Sequence, residues 1–137
     1  MGRILAIDYG TKRTGIAVTD PLKIIATSLI AIETTKVFNF LIDYCKKEKI
    51  ETIVVGLPKT LKGESSENEK NILPFIENLK NHFINIPIVR FDERFTSSMA
   101  MQTLIDAGYK KKRRQDKKLL DSVAATLILQ GYLLSIQ

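Results

Sequence analysis

Short apolar runs separated by turn residues occupy the amino-terminal part of the chain. The runs "RILAID" (3–8) and "GIAVTD" (15–20) are rich in apolar and β-branched residues, and the segment "YGTKRT" between them contains the glycine and polar side chains that suit a turn. A third run, "KIIATSLIAI" (23–32), follows Pro21. This pattern predicts three strands that form an antiparallel meander.

A helical pattern follows in "TTKVFNFLIDYCKKEK" (34–49), where apolar residues recur at i, i+3, i+4 and i+7 from Val37 to Tyr44. Thr34 or Thr35 is the expected cap of this helix. The next segment, "ETIVVGLP" (51–58), is a nearly continuous apolar run, as in a strand that is covered on both faces of a parallel sheet. These two segments predict a helical crossover into a central strand.

The second half of the chain repeats this alternation. A polar loop leads into a helix that we expect to begin near Ser65 or Ser66, and Pro74 must kink, begin or end that helix. The run "IPIVRF" (86–91) predicts a strand, "TSSMAMQTLIDAG" (96–108) a helix, and "DKKLLDSVAATLILQGYLLS" (116–135) a last helix.

These elements together predict an α/β fold. Because a helical crossover joins parallel strands, we expect a mixed five-stranded sheet with three antiparallel amino-terminal strands, two parallel strands and helices on both faces. The chain has 137 residues, the size of one ordinary domain, and shows no internal repeat or linker. Residues 1–137 are therefore predicted to form a single domain.

Composition narrows the setting in which the chain works. The sequence is 45% hydrophobic and 26% charged, as in soluble globular proteins, and no apolar run approaches the length needed to span a bilayer. Cys45 is the only cysteine, so no internal disulfide can form, and no secretory signal is visible at the amino terminus. We therefore expect a cytoplasmic protein without a membrane partner.

The excess of positive charge lies in a single segment, "KKKRRQDKK" (110–118). Subtracting its seven cations and one acid from the 21 basic and 15 acidic residues of the chain leaves fourteen of each, so this basic run accounts for the whole net charge of +6. Such a concentrated patch attracts polyanions. A solvated loop that only aids solubility is the alternative interpretation. The cations of the basic run are Lys110, Lys111, Lys112, Arg113, Arg114, Lys117 and Lys118.

Acidic residues stand at three places beside apolar runs, where an unpaired charge is costly to bury. Asp8 ends the first strand, Asp92 and Glu93 end the last one, and Asp121 borders the apolar face of the final helix. Each has a structural explanation when taken alone: a turn aspartate, an acid at a helix start and a helix cap. Adjacent residues of a strand point to opposite faces, so only one of Asp92 and Glu93 can share a site with Asp8.

The three acidic positions taken together favour a metal site. Carboxylates that converge at one end of a sheet repel one another and raise each other's pKa unless a divalent cation neutralises them. Mg²⁺ prefers one or two carboxylates together with waters and phosphate oxygens. Two such ions can orient a water and stabilise the leaving oxygen of a phosphodiester. The carboxylates and the basic run therefore point to the same class of substrate, a nucleic acid.

Four motifs resemble, in order and over nearly the full length, the YqgF family, also called RuvX. They are "AIDYGTKRTGIAVTD" (6–20), "VVGLPKTLKGESSENEK" (54–70), "VRFDERFTSS" (89–98) and "LLDSVAATLILQGYL" (119–133). The resemblance implies an RNase H-like fold related to the RuvC resolvases. It also implies a nuclease, described either as a Holliday junction resolvase or as an enzyme that matures the 5′ end of pre-16S rRNA in the bacterial cytoplasm.

The resemblance also implies functional residues. It assigns Asp8, Glu93 and Asp121 as catalytic, metal-binding residues for Mg²⁺ or Mn²⁺, with Asp8 holding both ions. Further positions that it implies for phosphate or substrate, in addition to the basic run, are Thr11, Lys12, Arg13, Arg94 and Thr96.

Several questions stay open at the level of the sequence. The substrate is an RNA precursor in ribosome biogenesis or branched DNA in recombination, and a non-catalytic nucleic-acid-binding factor that joins ribosome-assembly intermediates is a further hypothesis. A similarity of "DYGTKRTGIAV" to the phosphate loop of actin-like kinases requires two domains, and this chain has room for one. We expect a monomer or weak homodimer. Whether Asp92 or Asp116 assists the site is also open.

Overall fold

Five strands form one mixed sheet in the computed structural model, which describes residues 2–58, 67–93 and 117–136, without the side chains of residues 117–122. The strands are β1 (Arg3–Asp8), β2 (Arg13–Thr19), β3 (Ala26–Glu33), β4 (Ile50–Leu57) and β5 (Ile88–Asp92). Their order in the sheet is β3-β2-β1-β4-β5. The first three strands pair antiparallel, whereas β1 with β4 and β4 with β5 pair parallel, as the sequence predicts.

Helices cover both faces of this sheet. A short 3₁₀ turn (Thr34–Lys36) leads into α1 (Val37–Lys47), followed along the chain by α2 (Glu69–His82) and by the carboxyl-terminal helix, which we call α3 (Lys117–Ser135). One face of the sheet packs on apolar residues of α1 and α2. The opposite face packs on α3. No helix in the described part of the chain is long and apolar enough to cross a membrane.

The third strand begins later than its apolar pattern suggests. Asp20 follows β2, and its carboxylate accepts hydrogen bonds from the backbone N–H groups of Ile24 and Ile25, both at 2.8 Å. Lys23 adopts a positive φ of 60° in the same turn. These bonds hold residues 20–25 as a turn, so β3 starts at Ala26.

Two helix starts also differ from the sequence prediction. No side-chain hydrogen bond caps either the 3₁₀ turn or α1, because the Thr34 hydroxyl bonds to the Gly10 carbonyl instead. Helix α2 begins at Glu69, after Asn68, rather than near Ser65 or Ser66, and Pro74 lies inside it. The predicted helix at 96–108 lies outside the described residues.

Candidate active site

Parallel strand pairing brings Asp8 and Glu93 to the same edge of the sheet. Strands β1, β4 and β5 run in the same direction, so their carboxyl ends meet at one edge. Asp8 is the last residue of β1. Glu93 follows β5 directly, and its backbone N–H donates to the Leu57 carbonyl at 3.1 Å. The pairing of β4 with β5, the strand at the end of the sheet order, is thus extended by one residue, to the acid.

Side-chain alternation decides which carboxylate of the pair 92–93 joins Asp8. Ile4 and Ala6 of β1, and Val89 and Phe91 of β5, all belong to the apolar cluster under α3. Successive residues of a strand alternate between faces, so Asp8 and Glu93 both continue on the α3 side. Asp92 falls on the opposite face, and Glu93 is the residue that shares the site.

Gly56 of β4 makes room for the Glu93 carboxylate. A Cβ atom on Gly56 would overlap the Glu93 carboxylate and stand 3.0 Å from Glu93 Cδ. The same Cβ would lie 2.9 Å from Cδ1 of Ile128, a buried residue of α3. The carboxylate therefore lies between a strand and a helix in a space that a side chain at position 56 would fill.

The electrostatics of Glu93 reflect this packing. The pKa of Glu93 is raised from 4.5 to about 8, chiefly by burial and next by the nearby Asp8 carboxylate, while Arg90 acts in the opposite direction. Asp92 and Glu69 add smaller upward contributions to the pKa. A carboxyl group in this position retains its proton near neutral pH unless a cation neutralises the pair. The arrangement is chemically suited to a divalent metal ion.

Arg90 of β5 stabilises the same edge of the sheet from the face that packs on α2. Its guanidinium forms a two-pronged ion pair with Glu69 at the start of α2, with N–O distances of 2.8 and 2.7 Å. Nη2 also donates to the Gly56 carbonyl at 2.9 Å. The Arg90 and Glu69 side chains are only 23% and 15% exposed, so water screens this pair weakly. Arg90 thus ties α2 to the strand that carries Gly56.

The turn between β1 and β2 is held by two threonines. The Thr34 hydroxyl donates to the Gly10 carbonyl at 2.6 Å and lies 2.8 Å from the hydroxyl of Thr14, which is fully buried. The backbone N–H of Thr34 donates to the Lys12 carbonyl at 2.9 Å. These bonds fix the backbone of the turn directly after Asp8.

The structure places only part of the predicted site. Asp8 and Glu93 come together, whereas Asp121 lies in α3, two helical turns before Ile128, with its side chain outside the described part. Thr11 and Lys12 are exposed on the β1–β2 turn, and Arg13 is half-buried at the start of β2.

The other predicted nucleic-acid contacts lie outside the described side chains. Arg94, Thr96 and residues 110–116 of the basic run, Asp116 included, lie outside the described residues. Lys117 and Lys118 open α3 without described side chains. Among the described side chains, no three His, Cys, Asp or Glu residues form a group that could hold a metal. The roles of these residues stay predictions.

Sequence reasoning missed the supports of this site. Arg90 reads as a polar residue within a strand, and nothing local pairs it with Glu69. Thr34 reads as a helix cap, the role that threonine commonly has before a helical run. Buried Thr14 is the one available signal, since a threonine inside an apolar strand needs a hydrogen-bond partner.

Comparison with known proteins finds relatives that match nearly the whole chain. Relatives from Bacteroides thetaiotaomicron and Flavobacterium psychrophilum, each provisionally named pre-16S rRNA nuclease, are both 53% identical to this chain over 133 residues. The alignments cover 97% of this chain and 96% and 97% of the relatives.

Solved structures share the fold. Thermus thermophilus RuvC in complex with a Holliday junction substrate aligns with a TM-score of 0.60 at 14% identity, covering 100% of this chain and 98% of that chain. A second Thermus thermophilus RuvC structure gives a TM-score of 0.54 at 11% identity, covering 98% and 96% of the two chains. These likenesses confirm the predicted RuvC-like, RNase H-like fold. The model of the RuvX family, described as Holliday junction resolvase, matches residues 2–135, and the chain belongs to this family.

Proposed function

We propose that this protein is a divalent-metal-dependent nuclease that processes the 5′ end of pre-16S rRNA. The observation that carries the proposal is the Asp8–Glu93 pair, in which a half-buried carboxyl group with a pKa of about 8 lies beside a second carboxylate at the carboxyl edge of the sheet. The names of the bacterial relatives support the choice of RNA substrate. Because rRNA precursors are made in the bacterial cytoplasm, the proposal also locates the protein there.

Asp8 and Glu93 would hold the metal ion, with Asp121 as the proposed third ligand and Mg²⁺ or Mn²⁺ as the ion. When bound, two such ions would supply an activated water and charge stabilisation at the phosphate. The chain's own residues set the geometry around them. Gly56 and Ile128 confine the Glu93 carboxylate, and the Arg90–Glu69 pair keeps the neighbouring strand in place.

Substrate binding in this proposal involves two regions. The exposed Thr11 and Lys12 lie on the turn that follows Asp8, close in sequence to the carboxylate pair. The basic run, together with Arg13, Arg94 and Thr96, supplies further phosphate contacts, which bind without reading the base sequence. We expect its affinity for RNA to fall steeply as salt is raised.

Branched DNA is the second candidate substrate. The family description and the TM-score of 0.60 to a RuvC bound to a Holliday junction favour it. A resolvase cuts two strands symmetrically, so this function would require a dimer of the chain.

Cleavage assays on both substrates test the proposal. Labelled pre-16S rRNA and a four-way DNA junction are incubated with Mg²⁺ or Mn²⁺ and with wild type, Asp8→Asn or Glu93→Gln. Glu77→Gln, an exposed acid of α2, is the matched control. We expect wild type and the control to cut the RNA and both site variants to lose at least a hundredfold in rate. Preferential cutting of the junction would support the resolvase, and binding without cutting would support a non-catalytic ribosome-assembly factor.

A further inference from the structure

An open cleft of about 290 Å³ adjoins the carboxylate edge on the α2 side of the sheet. It is lined by Tyr9, Thr11, Lys70, Asn71 and Pro74. Tyr9 follows Asp8 in the chain, so one wall of the cleft is the residue next to the metal-binding pair. The lining combines one aromatic ring, one cation and neutral hydrogen-bonding groups, as a site for a nucleotide requires.

The ring of Tyr9 is fixed before any ligand arrives. It packs against Phe75 of α2 with ring centroids 4.6 Å apart and an interplanar angle of 33°. Its backbone carbonyl accepts a hydrogen bond from the Asn68 side chain at 2.9 Å. Tyr9 is half-buried, so part of the ring remains at the cleft. A pre-ordered aromatic ring of this kind can stack a base at little entropic cost.

The opposite wall of the cleft supplies polar groups. The Lys70 side chain is 71% exposed, and its ion pair is with Glu67, itself 94% exposed, at 3.3 Å. Such a surface pair is weak, so the ammonium group can turn to a phosphate. Pro74 has no N–H, so the Lys70 carbonyl lacks the donor that a regular helix would give it. The regular backbone hydrogen bonding of α2 is therefore interrupted next to the lining of the cleft.

We propose that this cleft, which we call the nucleotide cleft, binds one unpaired nucleotide of the substrate strand at the edge of the sheet that carries the carboxylate pair, on the α2 side of that edge. The base stacks on Tyr9, and Lys70 and Thr11 contact a phosphate. The inference rests on the proposed nuclease function and specifies its substrate as single-stranded at this position. A base within a duplex has both faces covered by its neighbours and cannot stack on Tyr9. A volume of about 290 Å³ is at the lower limit of small-molecule pockets, which suits one nucleotide rather than two.

A binding experiment in EDTA tests the nucleotide cleft without requiring cleavage. Fluorescence anisotropy measures the affinity of the full chain for a short single-stranded RNA, for the same RNA with one abasic position moved along it, and for its duplex. We expect a single abasic position to weaken binding by about 5- to 150-fold, which is the effect of losing one stacked base. We expect the duplex to bind more weakly than the intact single strand.

Variants of the chain identify where the base stacks. Tyr9→Leu should bind the intact RNA as weakly as wild type binds the sensitive abasic RNA, with no further loss when both changes are combined. Lys70→Gln, a surface change that leaves the core intact, should reduce the slope of log affinity against log salt by about one. Lys80→Gln, exposed on the same helix and away from the cleft, is the matched control and should leave the salt slope and the affinity unchanged.

Three outcomes would overturn the inference: no abasic position weakens binding, the Tyr9→Leu and abasic losses multiply, or the duplex binds as tightly as the single strand. None of these outcomes depends on catalysis. A wild-type protein that binds in this manner but never cuts RNA or DNA would instead refute the proposed function. The two failures are therefore distinguishable.

Discussion

Replacing Glu93 with glutamine tests the electrostatic basis of the carboxylate pair. Glutamine has the shape of a protonated glutamate, so it fits the space beside Gly56 but cannot ionise. In the metal-free fold the pKa of Glu93 is about 8, against 4.5 as its ordinary value. Between these two pH values the folded chain retains a proton that the unfolded chain has released. Stability therefore falls as pH rises through this window, and this contribution is fully lost above pH 8.

The size of the effect follows from the pKa difference. One proton contributes at most about 1.4 kcal/mol for each pH unit, so the wild type should lose roughly 3 to 5 kcal/mol of unfolding free energy between pH 4.5 and 8. Glu93→Gln should lack this loss. Asp8→Asn removes the neighbouring charge but not the burial, which is the larger cause, so its curve should fall between the two.

Urea denaturation at a series of pH values measures these curves, first in EDTA and then with excess Mg²⁺ or Mn²⁺. A cation that binds the pair should restore the stability of the wild type at pH 8 but not raise that of Glu93→Gln. Glu77→Gln, which changes an exposed acid, should follow the wild type in both conditions. If wild type and Glu93→Gln lose the same free energy between pH 5 and 8 in EDTA, Glu93 is not the group with the raised pKa.

Three further predictions concern packing and charge. Gly56→Ala should displace the Glu93 carboxylate, lowering the unfolding free energy in urea by about 1 to 3 kcal/mol and abolishing cleavage. Gly131→Ala should lower the unfolding free energy by a similar amount, because the added Cβ would lie 2.7 Å from the Phe91 ring. This loss would outweigh the helix propensity of alanine, which normally favours a helix by about 1 kcal/mol over glycine. A second change, Phe91→Leu, should recover most of the lost free energy. Replacing Lys110, Lys111 and Lys112 with glutamine should reduce the salt slope of single-stranded RNA binding by about two, and an unchanged slope would exclude these three lysines from the interface.

Local sequence patterns predict the strands and the last helix because the apolar residues of each element recur at the regular spacing of a strand or a helix. The run "RILAID" matches β1, and "DKKLLDSVAATLILQGYLLS" matches α3 to within one residue. The predicted start of β3 was wrong because the hydrogen bonds of Asp20 hold Ile24 and Ile25 in a turn. Their apolar side chains look like strand residues in the sequence, yet they are 68% and 62% exposed.

The sequence predicts the part of the site that depends on where the strands end and on the alternation of side chains between the two faces of the sheet. Alternation limits Asp8 to one partner of the pair 92–93, but choosing Glu93 requires knowing which face of β5 meets α3. That assignment depends on Phe91 packing under the helix. The run "IPIVRF" has apolar residues in both phases, and only Arg90 interrupts one of them. The Arg90–Glu69 pair depends on tertiary proximity, and local periodicity contains no information about such a contact.

The parallel arrangement of β1, β4 and β5 also determines when the site can form during folding. Asp8 lies in the first strand and Glu93 after the last, so the two carboxylates meet only after both helical crossovers have closed. Such long-range parallel pairing is slow, because each crossover costs loop-closure entropy before its contacts form. An incomplete chain that ends before β5 contains Asp8 but not its partner. Nascent chains that have not yet extended beyond β5, and copies truncated before it, therefore have no carboxylate pair with which to cut RNA.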